Sequence, residues 1–219
     1  MNLIDSNDIL KASKLDRFGG NLGGSLVAKL VMYIMRLNKI NKLYSDVYSD
    51  NPEAFLDRLI EALGVTIEVN EEDLQKIPKE GAFITISNHP FGGLDGIILI
   101  KLLSKIRPDY KVMANFLLKK IVPIKDYFLG VNPFEGLKDI SSAGGLRHLS
   151  EGGALGLFPA GEVSAYQADS NSIEDKAWSR SVLKLIRKAD VPVIPIYFKG
   201  SNSMLFQILG MIHPMLRTV

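Results

Sequence analysis

The chain has 219 residues, with 26 Lys and Arg against 24 Asp and Glu, so it suits one large domain or two small ones and lacks the basic excess of a dedicated nucleic-acid binder. It contains no Cys, which excludes disulfides, cysteine-ligated zinc, iron–sulfur ligation and any cysteine nucleophile, and its three His, at 89, 148 and 213, are too few for a multi-histidine metal site. Hydrophobic residues make up 47%, ordinary for a globular chain, and a mean hydropathy of +0.12 raises the prospect of membrane contact without requiring a span.

Residues 1–18 carry Asp5, Asp8 and Asp16 and no apolar stretch, a poor secretory signal that points to a cytosolic chain or one facing the cytosol. The glycines at 19, 20, 23 and 24 follow no strand and lack the Lys-Ser/Thr of a phosphate loop, so they read as a joint. Residues 21–44 contain no acid, carry Lys29, Arg36, Lys39 and Lys42, and place apolar residues at helical spacing. The apolar run Leu30–Met35 is far short of the ~20 residues a span needs. Two readings stand: an interfacial helix whose four cations meet anionic lipid, or a core helix with a solvated basic edge.

Asn51-Pro52-Glu53 starts a helix that Gly64 stops. A strand is expected over Val65–Val69, a polar connector over 70–81 and a buried strand over 81–87. Beyond these the patterns predict a helix over 96–106, a strand over 110–114, a helix over 138–150 and a strand over 154–158. A helix over 174–188, with Trp178, Val182, Leu185 and Ile186 on one face, leads to a strand over 191–198. Pro192 and Pro195 put that last strand at an edge or in an irregular stretch. Alternating strands and helices predict an α/β fold, a mostly parallel sheet with helices on both faces, preceded by an N-terminal helical section. The simplest division is a single domain over 1–219, with a helical, membrane-facing section over 1–64 and a catalytic core over 65–219. The apolar, uncapped end at 211–219 is the pattern of a chain that continues.

Two polar turns follow strands. In Asn88-His89-Pro90-Phe91-Gly92-Gly93-Leu94-Asp95, His89 ends a buried strand and Asp95 begins a helix. A loop with two glycines can fold back so that the carboxylate accepts from one ring nitrogen, fixes the tautomer and leaves the other nitrogen as a base. Equally, Asp95 serves as a plain helix cap and His89 as a satisfied core or loop histidine. The second turn, Phe158-Pro159-Ala160-Gly161-Glu162, exposes Glu162 beyond a strand's carboxyl end, where ligands of open α/β sheets bind; a solvated turn residue is its other reading. Lys119, Lys120 and Lys125 flank an apolar stretch and read either as partners for phosphates or acidic protein or as a solvated face. His148, on a helix, is expected at the surface.

Asn88-His89-Pro90 with Asp95, followed by Phe158-Pro159-Ala160-Gly161-Glu162 and the late strand Val191–Pro195, resembles the glycerolipid (lysophospholipid) acyltransferase family, 1-acylglycerol-3-phosphate acyltransferase-like, and within it the haemolysin-like branch. The resemblance covers about 80–200. It implies that His89 is a general base on an acceptor hydroxyl, that Asp95 orients it, and that the hydroxyl attacks an acyl thioester without an acyl-enzyme. Asn88, Gly92, Gly93, Asn132, Phe158, Pro159, Gly161 and Glu162 then line the substrate side. The implied donor is acyl-CoA or acyl-carrier protein, used as substrate, with no cofactor and no metal. The implied acceptor is a lyso-lipid, and the implied setting is peripheral, at the cytoplasmic face of a membrane.

This sequence departs from the family pattern in three places. Five residues, not four, separate His89 from Asp95; Glu162 follows Gly161 with no basic residue after it; and Asn132 stands where the family supplies an Arg. The missing phosphate cations point away from glycerol 3-phosphate and lysophosphatidate, toward another headgroup such as that of a lyso-aminolipid. The alternatives are an inactive, membrane-peripheral lipid-binding module and a thioesterase-like hydrolase in which water replaces the acceptor.

Overall fold

The computed structural model describes Leu3 and residues 37–131, 139–167, 169–204 and 206–207. Two compact units emerge: Met1–Thr66 with Lys120–Pro123, and Ile67–Lys119 with Ile124–Val219.

In the first unit, helix α1 (Leu37–Val47) and helix α2 (Pro52–Ala62) pack together. α2 starts where its cap predicts: Asn51 Oδ1 accepts the Ala54 N–H at 3.0 Å and Pro52 occupies the first turn. Leu37, Tyr44 and Val47 of α1 are buried, as are Phe55, Leu56, Leu59 and Ile60 of α2. The Tyr44 and Phe55 rings meet edge to face, 5.9 Å apart. Over 37–47 the apolar stripe therefore faces protein, while Lys39 and Lys42 are exposed. Lys29 and Arg36 lie outside the described residues.

The second unit opens with a short helix, α3 (Glu71–Gln75), inside the stretch expected as a polar connector. Asn70 caps it at 2.9 Å and three acids in its first turn suit the helix dipole. The expected strand over Val65–Val69 is absent: among the described residues no strand lies beside it to satisfy its backbone, and Val69 is exposed.

Next come β1 (Phe83–Ser87), α4 (Gly93–Leu103), β2 (Lys111–Asn115), β3 (Phe128–Val131) and α5 (Asp139–Ser150). After them follow β4 (Ala154–Leu157), β5 (Ala165–Gln167), β6 (Ser172–Glu174), α6 (Arg180–Ala189) and β7 (Val193–Ile196). Two 3-10 turns, Phe116–Lys120 and Val122–Tyr127, lead into β3. The main sheet has the order β3-β2-β4-β1-β7, every pair parallel, and β5–β6 form a separate antiparallel pair. β7 lies at an edge, where its prolines predict it.

Alternation along the strands sends helices to both faces. Val112 of β2 lies beneath α4, within 3.7 Å of where a side chain on Gly96 would begin. The next residue, Met113, packs on the other face with Ile84, Leu149, Leu155, Val182 and Leu185, which draws α5 and α6 together. The helix expected over 174–188 begins only at Arg180. Residues 172–174 instead pair with β5, and Trp178 stands 46% exposed rather than on a core face. His148 is no free surface residue: its Nε2 lies 3.1 Å from the Ala154 carbonyl, closing the α5–β4 turn.

Candidate active site

β1 and β4 are neighbouring inner strands, and α4 and α6, the next long helices after them, pack on opposite faces of the sheet. That divergence opens the crevice in which open α/β sheets bind ligands. Both polar turns singled out in the sequence sit at this edge.

His89 leaves β1 and Asp95 occupies the first turn of α4. Asp95 Oδ2 lies 3.0 Å from His89 Nδ1 and also receives the Phe91 N–H at 2.9 Å. The Asp95 side chain is 0% exposed and that of His89 16%. Gly92 takes up the extra residue between them: with φ 68 and ψ −133 it adopts a backbone that side chains resist, and an added Cβ would meet Val163 at 3.2 Å. Asp95 Oδ1 and Ser87 Oγ are buried without a hydrogen-bond partner among the described residues. With Nδ1 facing the carboxylate, Nε2 is the nitrogen directed away from it. The Phe158 ring stacks on the imidazole, centroids 4.0 Å apart. One face of the histidine is thus covered by the turn that follows β4.

The remaining sequence candidates have different surroundings. Gly93 opens α4 at an exposed position. Pro159 is buried, and Gly161 closes the β4 turn with its N–H on the Phe158 carbonyl at 2.9 Å. Glu162 shares this edge, but its carboxylate is 55% exposed and paired with Lys176 at 2.6 Å. The Asn88 amide is engaged in building: it donates to the Phe198 carbonyl at 2.8 Å and accepts the Phe198 N–H at 2.7 Å. Asn132 lies outside the described residues.

Several residues that hold this turn were not among the sequence candidates. The carboxylate of Asp175, just past β6, accepts the His89 backbone N–H at 3.2 Å and the Ser164 hydroxyl. Ser164 N–H in turn donates to the His89 carbonyl at 2.9 Å. On the other side Asn202 donates to the Pro90 carbonyl at 2.9 Å, and the Phe91 ring sits 2.8 Å from where a Cβ on Gly200 would stand. A polar run after β7 at the active edge could have flagged Asn202; Asp175 was hidden inside the expected helix.

Among the described residues no cluster of three or more acids or histidines could hold a metal, and no helix is long and apolar enough to cross a membrane.

Comparison with known proteins gives this geometry a family. A family model described as acyltransferase matches residues 11–216. The lyso-glycine lipid O-acyltransferase of Bacteroides thetaiotaomicron is 28% identical over 208 residues, 93% of this chain and 73% of that protein. The one from Phocaeicola vulgatus is 26% identical over 210 residues, 93% of this chain and 71% of that protein. The family match extends well beyond the stretch that carries the two turns, and the chain belongs to the acyltransferase family.

Proposed function

We propose that this acyltransferase moves a fatty acyl group from an acyl thioester, acyl-CoA or acyl-carrier protein, to a hydroxyl of a lyso-lipid whose headgroup is of the glycine type. The buried His89–Asp95 pair at 3.0 Å, open at a strand end, carries this reading. Asp95 accepts from Nδ1 and so keeps the proton there and the lone pair on Nε2. Nε2 takes the proton of the acceptor hydroxyl as its oxygen attacks the thioester carbonyl. The tetrahedral intermediate collapses, the carbon–sulfur bond breaks, the ester forms, and the imidazolium returns its proton to the departing thiolate. During the attack Asp95 faces a histidine gaining positive charge across a site without water access to its own carboxylate. The names of the two similar proteins and the absence of the usual phosphate cations in the matching motifs both favour an amino-acid headgroup over a phosphate. A lyso-lipid keeps its chain in the bilayer, so the reaction belongs at a membrane surface, on its cytoplasmic face, with the protein peripheral.

The test incubates labelled acyl thioester with lyso-glycine lipid, with lysophosphatidate and with no acceptor. Labelled ester from the glycine lyso-lipid, reduced about 10²- to 10⁴-fold by His89→Ala, is the expected result. Free fatty acid in place of ester would mean a hydrolase, and no product a lipid-binding module. Preference for lysophosphatidate would overturn the headgroup assignment.

A further inference from the structure

Helix α6 presents a stripe of charge that no hydrogen bond or ion pair among the described residues engages. Arg180, Lys184, Arg187 and Lys188 are all exposed. At 3.6 residues per turn they fall within one arc of about 100°, spread along about 12 Å of helix. Val182 and Leu185, on the opposite side, are buried in the core. Residues 176–189 contain no acid. Of the nearest carboxylates, Asp175 is engaged with Ser164 and His89, Glu151 lies just past the end of α5, and Asp190 follows the last turn of α6. Exposed Arg147 of α5 joins Lys188 on the walls of a shallow groove between the two helices.

Arg187 and Lys188 stand in the last turn, where the helix dipole favours cations, but local physics works against the rest of the arrangement. Arg180 and Lys184, like Lys184 and Lys188, are like charges four apart, which destabilise a helix. Arg180 sits in the first turn, where the helix dipole disfavours a cation. The stripe also starts at the active edge: Ser179 N–H donates to the Pro159 carbonyl at 2.9 Å, and Pro159 follows Phe158, whose ring covers His89.

We propose that the α6 stripe is the docking surface for the acyl donor, and that the donor is an acidic carrier protein bearing its acyl group on a phosphopantetheine arm. This rests on the acyl-transfer reading above and selects between its two donors. A line of exposed cations about 12 Å long matches a helix of an acidic protein better than the compact phosphates of a nucleotide. It also fits a membrane poorly, because α6 turns its apolar face into the core and has nothing to insert. A carrier bound along α6 lies beside the turn that covers His89, so its thin arm delivers the thioester at that edge while the protein stays outside.

The experiment replaces Arg180, Lys184, Arg187 and Lys188 together by Gln and compares acyl-carrier protein, acyl-CoA and the small donor acyl-pantetheine, with acceptor in detergent and in anionic vesicles. Thermal melting checks that the variant folds, and a charge-reversed pair, Lys184→Glu with Arg187→Glu, gives a second variant with the same change of net charge at only two positions. A variant with exposed Arg58, Lys76, Lys79 and Lys105 replaced by Gln controls for net charge. Each exposed pairing is worth a factor of about 1.5 to 5. We therefore expect KM for the acyl-carrier protein to rise about 10- to 100-fold with kcat nearly unchanged, acyl-pantetheine turnover to stay the same, and salt to reproduce the effect on the wild type. Equal loss with all donors, or no loss with any, overturns the proposal. Loss confined to acyl-CoA would make the stripe a nucleotide-phosphate site, and loss confined to vesicles a lipid contact; either overturns it. A wild type that accepts acyl-pantetheine but never the carrier overturns it too. A wild type that accepts no donor at all refutes instead the acyl-transfer reading on which it rests.

Discussion

Replacing Asp95 by Asn keeps the shape of the side chain and removes its charge, and the cost depends on the surroundings. Oδ2 receives both the His89 ring N–H and the Phe91 N–H, while Oδ1 is buried without a partner among the described residues. If the Asn oxygen takes the Oδ2 position, both hydrogen bonds survive, but the amide nitrogen becomes a buried donor with no acceptor, at about 1–3 kcal/mol. If the nitrogen takes that position, it meets the Phe91 N–H donor to donor. It then forces the His89 proton onto Nε2, the atom that must accept the hydroxyl proton. In the first pose the imidazolium of the transition state still loses its counter-charge. For charges about 4 Å apart at an effective dielectric near 20 that interaction is about 4 kcal/mol. Ten-fold in rate is about 1.4 kcal/mol, so kcat should fall about 10³-fold. Single-turnover transfer of a labelled acyl group, run beside a thermal melt, reads both quantities. A folded Asp95→Asn enzyme within three-fold of the wild-type rate would refute the dyad as described.

Asp175→Ala removes the one oxygen, Oδ1, that accepts both the His89 N–H and the Ser164 hydroxyl, so kcat should fall about 3- to 30-fold with KM for the acceptor little changed; a rise in KM alone would mean that Asp175 meets substrate instead. Gly156→Ala places a methyl group 2.3 Å from the Tyr110 hydroxyl, on a ring that is fully buried. It should cost about 1–3 kcal/mol in urea unfolding, and adding Tyr110→Phe should recover part of that loss. Arg107 holds the Asp109 carboxyl below the usual carboxylate range by its paired hydrogen bonds at 2.7 and 2.8 Å. A carboxylate with a lowered folded pKa stabilises above its unfolded value, near 3.9, and loses that contribution as pH falls through the folded value. The stability difference between wild type and Asp109→Asn should therefore be present at pH 6 and vanish in strong acid; it should be small, since Asp109 is 40% exposed.

What the sequence made legible was local. His89 and Asp95 are six positions apart and Phe158 to Glu162 form one turn, so residue type and glycine placement raised them as candidates and the resemblance to a family chose between a dyad and a plain cap. The edge position of β7 could be read from two prolines. The grip on the His89 turn could not, because its donors and acceptors come from far along the chain: Asp175 is 86 residues from His89, and Asn202 is 112 from Pro90. The 174–188 pattern misled because an apolar residue such as Trp178 reads the same whether or not a core exists to receive it. Glu162 was found at its expected edge, and its pairing with Lys176 had no signal in spacing.

The strand order also has a consequence for how the chain comes into being. β1 is the first of the described strands to leave the ribosome, yet its neighbours are β4 and β7, paired through Phe83–Ala154 and Ile84–Val193. It must wait about 70 residues for one partner and about 110 for the other, with its buried Phe83, Ile84 and Ser87 uncovered meanwhile. Such long closures are slow and expose strand edges to other chains. Asn88 meets Phe198 only after β7 has docked. The histidine at residue 89 is thus set in place by the last of the described strands. Until then a nascent chain holds both members of the dyad but lacks the second wall of the turn that orients them, and a chaperone that shields β1 would govern yield more than one that helps any later element.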